Sequence, residues 1–218
     1  MSKNTIIFDF DNTLVNSLKY WFYEMNKTTF KIYGLKPDKR IVELRRGKNN
    51  QEIAEIFLQL TNLKISTDEI FNCWHDLMFK CYTTKIKILP GALDFIAKLK
   101  NQGKRLILAT ATNIDLIKKV LPHFNLDIFD EIYTEQTLSA GKNDIKFFEH
   151  LLDNIKENPQ NILFFEDSYV SIKNARKSGI ECCAIIHKYN KHHLDYFKKN
   201  CKLTIKNYKD KQLSNLNI

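Results

Sequence analysis

The chain has 218 residues, 44% of them hydrophobic, which suffices for one good core or for a core domain carrying a small insert. No apolar run approaches the length of a membrane span, and Met1-Ser2-Lys3-Asn4-Thr5 leaves no room for a secretory signal, so a cytoplasmic protein with no membrane partner is expected. The formal charge of +9 comes from lysines spread along the chain rather than clustered; it reads as a solvated lysine-rich surface, and no nucleic-acid partner is expected.

Residues 5–9 read as a buried strand, Ile6-Ile7-Phe8 running into Asp9 and, after Phe10, into Asp11-Asn12-Thr13-Leu14. From about Ser17 to Lys85 the pattern turns helical. Leu18, Phe22, Met25 and Tyr33 share one face of a first helix that stops near Gly34. Ile53, Ile56, Phe57 and Leu60 make a second stripe. Ser66 or Thr67 caps a third helix, with Ile70, Trp74, Leu77, Met78 and Cys81 inward. These stripes predict the packed interior of a helical bundle, ended by the breaker Leu89-Pro90-Gly91.

Strands and helices then alternate. A helix over Ala92–Asn101 stops at Gly103, and a strand covers 105–109. A helix runs from Asn113 to Phe124, interrupted at Pro122, and Glu131-Ile132-Tyr133 is a short strand. A helix over Asp144–Ile155 turns Ile145, Phe148, Leu151 and Leu152 inward. A strand covers 161–165, a helix runs from Ser168 to Lys177 before Gly179, and a strand covers 182–186. Such units predict an α/β fold, a doubly wound parallel sheet with helices on both faces. The basic tail from Lys198 to Lys211 carries only Phe197 and Tyr208 as aromatic residues, too few for a base-stacking platform. The five cysteines, Cys73, Cys81, Cys182, Cys183 and Cys201, form no Cys-x-x-Cys pair and read as reduced, mostly buried thiols.

Four polar stations each follow an apolar run or open a helix. Asp9 and Asp11, two apart at the carboxyl end of a strand, fall on the same side and invite a hard divalent cation. One can serve as nucleophile and the other as proton donor and acceptor. Thr110 follows the second strand, where its hydroxyl and the amides of Ala111 and Thr112 can hold a phosphate oxygen; Thr112 or Asn113 can also cap the next helix. Lys142 lies in the loop before a helix, where a cation can neutralise a nucleophile and a transferring phosphoryl group. Glu166-Asp167 ends another apolar strand with the oxygen ligands Mg²⁺ prefers, and Asp167 or Ser168 can open the following helix.

In this order the stations resemble the four motifs of the haloacid dehalogenase superfamily of phosphotransferases. Asp9-x-Asp11-x-Thr13 is similar to its first motif, Thr110 to the second, Lys142 to the third, and Glu166-Asp167 to the fourth. Relatives often carry a proline after the third-motif lysine; this chain has Asn143, which leaves Lys146 as the fallback. The helical segment resembles the cap of the subgroup containing phosphoglycolate phosphatase and β-phosphoglucomutase. The resemblance implies a Rossmann-like core over 1–16 and 86–218 with a cap over 17–85. It implies a Mg²⁺-dependent phosphatase of a small phosphorylated metabolite, acting through an aspartyl-phosphate on Asp9, with Asp11 as acid and base. Mg²⁺ is expected on Asp9, the Asp11 carbonyl and Asp167, with Glu166 in or behind this set, while Thr110 and Lys142 hold the phosphoryl oxygens and Thr13 orders the turn. Dehalogenases lack the second aspartate, so an alkyl-halide substrate is not expected. Within the cap, Arg45-Arg46-Gly47-Lys48 is either a substrate contact or a solvated turn. A sugar phosphomutase using the same residues, and a basic binding protein with an inactive core, are the alternatives.

Overall fold

The computed structural model describes residues 3–36, 38, 40–44 and 50–216. The chain divides into two compact units, Met1–Asn16 with Ile88–Ile218, and Ser17–Lys87. The sequence expectation ended the inserted unit at Lys85, two residues earlier.

The larger unit is built on a six-stranded sheet. Its strands are β1 (Thr5–Phe8), β2 (Arg105–Thr110), β3 (Glu131–Thr134), β4 (Ile162–Glu166), β5 (Glu181–Ile185) and β6 (Leu203–Ile205), in the order β3-β2-β1-β4-β5-β6. Every pairing is parallel, with Ile7 opposite Ile107 on one side and Phe164 on the other. An all-parallel sheet must be covered on both faces, and alternate residues of each strand show how. Ile7, Ile107, Ala109, Phe164, Cys182 and Ala184 pack with Phe147, Phe148 and Ile172. Their neighbours Phe8 and Phe165 stack at 5.0 Å on the opposite face and meet Phe95 and Tyr208. Cys182 and Cys183 are both buried in β5, one on each face, as free thiols. This is the expected doubly wound α/β fold. The strand β6, only three residues long, was not legible in the sequence.

The helices of the smaller unit are α1 (Met25–Ile32), preceded by a π-helical turn at Tyr20–Glu24, α2 (Arg40–Leu44), α3 (Asn50–Thr61) and α4 (Thr67–Thr84). Ser66 caps α4 in a reciprocal box with Glu69. The buried residues include Met25, Phe30, Ile41, Ile53, Ala54, Phe57, Ile70, Trp74, Met78, Tyr82 and Ile86. The expected inward residues Leu18, Phe22, Tyr33, Ile56, Leu60, Leu77 and Cys81 are only half-buried. A small unit has a thin core, which shields only the centre of each stripe. Trp21 Nε1 donates to Tyr82 Oη at 3.0 Å, and Phe57 meets Phe30 and Trp74 edge-on or tilted.

The larger unit adds α5 (Ala92–Asn101), α6 (Ile114–Val120), α7 (Glu135–Leu138), α8 (Ile145–Ile155), α9 (Tyr169–Lys177) and α10 (Leu194–Asn200). Asn113 caps α6, Asp144 caps α8 and Ser168 caps α9, which resolves the capping alternatives. On α8 the core side is Phe147, Phe148, Leu151 and Ile155; the expected Ile145 and Leu152 are half-buried. The core stripe is rotated toward Phe147 and Ile155, two residues that the expected stripe did not include. No helix among the described residues is long and apolar enough to cross a membrane.

The carboxyl-terminal segment returns to the turn before α5, where Tyr208 N donates to Pro90 O at 2.9 Å. Gly91 there has φ +80°, and a Cβ on it would lie 2.9 Å from the Tyr208 carbonyl carbon. Both the left-handed backbone and the close main chain exclude a side chain. Gly91→Ala is therefore expected to destabilise the protein by more than about 1 kcal/mol, read as a lower urea midpoint at unchanged slope.

Candidate active site

The carboxyl ends of β1, β2 and β4 lie side by side in the sheet, so the residues that follow them converge. Asp9 N donates to Phe165 O at 3.0 Å, extending the ladder one residue past Phe8. The chain then turns. Asn12 adopts φ +58°, Asn12 N donates to Val15 O at 2.7 Å, and Leu14 N donates to Phe10 O at 2.8 Å. Asn accepts this left-handed backbone with little cost. Asp11 lies just past β1, in an isolated bridge with Val15, and it is near enough to Asp9 to add to the rise of the Asp9 pKa. The Thr13 hydroxyl is buried and has no hydrogen-bond partner among the described residues, so the main chain, not this side chain, closes the turn.

Lys142 reaches the centre of the site. Its Nζ lies 2.6 Å from Asp9 Oδ1, 2.7 Å from Glu166 Oε2 and 3.0 Å from Ala109 O. All three side chains are buried, Asp9 at 5%, Lys142 at 6% and Glu166 at 1% exposure. The loop holding Lys142 is anchored by Glu135 at the start of α7, whose Oε1 accepts from Lys142 N at 2.8 Å. Asn143 in place of proline has not displaced the lysine. Lys146 is exposed in the first turn of α8.

Glu166 is saturated. Its Oε1 accepts from the amides of Asp167 and Ser168, at 2.9 and 3.0 Å, and its Oε2 also accepts from Ser171 Oγ at 2.7 Å. Asp167 turns the other way, with Oδ2 2.7 Å from His187 Nε2. Asn190 Nδ2 donates to Asp167 O at 2.9 Å. Neither His187 nor Asn190 stood out in the sequence; a polar cluster just past β5 was the only available signal.

Thr110 is buried, and its Oγ1 accepts from Thr112 N at 3.2 Å. The Thr112 hydroxyl donates to Asp11 Oδ2 at 2.5 Å. The Thr112 amide was expected to face a phosphate oxygen; it is committed to Thr110 instead. Ala111, between them, is exposed. Arg45 and Arg46 lie outside the described residues.

Electrostatics follow from burial. Burial pushes the Asp9 carboxyl well above the usual carboxylate range, and Glu166 adds to the shift while Lys142 opposes it. Burial, then Glu166, does the same to Asp167. Burial also works against the Glu166 carboxylate, but Lys142 and the Ser168 and Ser171 donors outweigh it and hold the group low. For Lys142 burial disfavours the ammonium, yet Asp9 and Glu166 prevail and raise its pKa. One cation thus faces three carboxylates. Ligand oxygens of Asp9, Glu166 and Asp167 lie within 4.8 Å of one another. An all-oxygen set with excess negative charge fits a hard divalent cation.

A family model described as haloacid dehalogenase-like hydrolase matches residues 6–185. A phosphorylated carbohydrates phosphatase of Thermotoga maritima is 23% identical over 187 residues, covering 85% of this chain and 86% of that protein. A phosphoglycolate phosphatase of Psychrobacter arcticus is 24% identical, covering 87% and 86%. The crystal structure of CbbY from Rhodobacter sphaeroides with phosphate superposes with a TM-score of 0.79 at 21% identity, covering 95% of each chain.

Removing Lys142 leaves Asp9 and Glu166 buried without their cation. Lys142→Met is expected to cost about 3–5 kcal/mol at neutral pH in urea denaturation. In the variant, burial raises the folded-state pKa of both carboxyls above their unfolded values. The stability lost at neutral pH should therefore return as the pH falls through those raised values. A deficit that does not shrink on acidification would contradict this assignment of charges.

Proposed function

The chain belongs to the haloacid dehalogenase-like hydrolases, and from that premise we propose that it is a Mg²⁺-dependent phosphatase of a small phosphorylated metabolite, working through an aspartyl-phosphate. The observation that carries this reading is the buried Asp9 carboxylate with a lysine ammonium 2.6 Å away and a second aspartate, Asp11, held by Thr112.

In the first step an Asp9 oxygen attacks phosphorus, and the bond from phosphorus to the leaving oxygen breaks. Asp11, in its protonated form, gives its proton to that oxygen. In the second step Asp11, now a carboxylate, takes a proton from a water molecule as the water attacks phosphorus. The bond to Asp9 breaks, releasing phosphate and restoring both groups. The short hydrogen bond from Thr112 orients Asp11 for both transfers. Lys142 offsets negative charge on Asp9 and on the equatorial phosphoryl oxygens. The Thr110 hydroxyl and the exposed Ala111 amide are assigned to the same oxygens. Asp9, the Asp11 main-chain carbonyl and Asp167 are the residues that would hold Mg²⁺, with Glu166 behind them, since its oxygens are occupied by Lys142, Ser171 and two amides. The cation would supply charge neutralisation for the nucleophile and the transferring group. The helical unit, 17–87, is assigned the choice of substrate.

Asp9→Asn preserves shape and removes the nucleophile. Hydrolysis of an aryl phosphate should stop while the melting profile persists; turnover at the wild-type rate would remove Asp9 from this role. Chelator should abolish activity and Mg²⁺ restore it, with Ca²⁺ inhibiting because its looser coordination misplaces the nucleophile. A screen of phosphorylated metabolites with Mg²⁺ would identify the substrate. On that substrate Arg45→Ala with Arg46→Ala should lower kcat/KM by roughly tenfold to a hundredfold, the effect of losing about 1.5–3 kcal/mol, and leave the aryl phosphate rate unchanged. Equal losses on both substrates would assign these arginines to folding or general phosphate attraction.

A further inference from the structure

We propose that His187, held by Asn190, is a positioning residue that orients Asp167 as a metal ligand and thereby sets the affinity of the site for its divalent cation. This rests on the metal assignment made above for Asp167 and goes beyond it to residues of the turn after β5.

The turn is tied to Asp167 at two points. Asn190 is buried; its Nδ2 donates both to Asp167 O at 2.9 Å and to Ile185 O at 2.8 Å, and its Oδ1 accepts from His187 N at 2.9 Å. One carboxamide thus joins the ends of β4 and β5 and closes the turn over its own backbone. The imidazole is fixed by what it touches. Its Nδ1 lies 3.2 Å from Tyr189 N, and a main-chain N–H can only donate. Nδ1 is therefore the acceptor, and the ring hydrogen belongs on Nε2, 2.7 Å from Asp167 Oδ2.

The chemical consequence lies in the contrast with Lys142. The ammonium of Lys142 cancels a negative charge in the site. A neutral Nε2–H restrains the rotation of the Asp167 carboxylate but cancels no charge, so the attraction for a cation is kept. His187 holds one Asp167 oxygen, and a carboxylate has a second oxygen with which to meet the ion. Hydrogen-bonding partners of ligating carboxylates act in this way on metal affinity generally.

The test is Mg²⁺ binding to the full-length protein by isothermal titration calorimetry, with the metal-free melting temperature measured alongside. His187→Leu removes the donor and keeps apolar bulk. It is expected to weaken Mg²⁺ binding about 10–100-fold, and saturating Mg²⁺ should restore most of kcat on an aryl phosphate. His187→Gln can return an N–H near the Nε2 position and should bind Mg²⁺ within about threefold of wild type, although it loses the contact with Tyr189 as fully as the leucine does. A merely structural role would move both variants together with the melting temperature. Binding within threefold of wild type in His187→Leu would overturn the proposal, as would a glutamine variant as weak as the leucine one. Asp167→Asn separates the two levels: if it binds Mg²⁺ as tightly as wild type, the metal assignment itself fails and the role of His187 falls with it; if only Asp167→Asn loses affinity, the metal assignment stands and His187 does not act on it.

Discussion

Among the described residues, Lys142 is the cation paired with the buried carboxylates of Asp9 and Glu166, beside a half-buried Asp167, and most of the larger unit arranges itself around that imbalance. Burying an ion without a partner is among the largest single penalties a fold can carry. Here the ammonium is shared between Asp9 and Glu166 at 2.6 and 2.7 Å, and the main-chain oxygen of Ala109 takes a further hydrogen. Glu166 is then steadied by two amides and a serine hydroxyl. Asp9 and Asp167 remain under-compensated, which is why burial drives both pKa values up. Surplus negative charge of this kind is what a hard divalent cation would offset. Stability and chemistry are in tension at the same four side chains.

The sheet makes this arrangement possible. With β1 central and β2 and β4 beside it, three strand ends deliver Asp9, Thr110 and Glu166 within one short arc. The parallel register sets their depth, since Phe8 is level with Leu108 and Phe165. Beneath them two apolar layers, one of Phe147 and Phe148 and one of Phe8, Phe95, Phe165 and Tyr208, hold the strands rigid. Fully burying a phenylalanine side chain is worth about 1.5–3 kcal/mol, so this double layer can sustain the strained electrostatics above it.

Two tasks are divided among residues that look alike in composition. Asp11 is held by a hydroxyl at the end of β2, whereas Asp167 is held by an imidazole beyond β5. Both restraints are neutral donors that bring no charge of their own. Only Lys142 removes charge, and it does so for the pair Asp9 and Glu166. Asp9 is held by the ladder to Phe165, whereas Asp11 bridges Val15 across the turn at Asn12, so the proposed acid and base has a different backbone support from the nucleophile.

The sequence by itself determined the alternation of strands and helices, the doubly wound sheet, and the placing of Asp9, Thr110, Glu166 and Asp167 at or just past the carboxyl ends of strands. It did so because period and punctuation are local properties: an apolar run ends where an acid begins, and Ser66 or Asn113 opens a helix within a few residues of itself. It also brought Lys142 forward, though only through its place among the motifs, since a lysine in a lysine-rich chain carries no local mark. Contacts across long sequence intervals were decided by the tertiary structure alone. The hydroxyl of Thr112 on Asp11 and the imidazole of His187 on Asp167 join residues 101 and 20 positions apart. The same holds for the phase of α8, where Phe147 rather than Ile145 faces the core, and for the three-residue strand β6, which exists only because β5 offers it an edge. Helical and strand periods are set by neighbouring residues, but the partner of a polar side chain is set by which strand ends the sheet brings together.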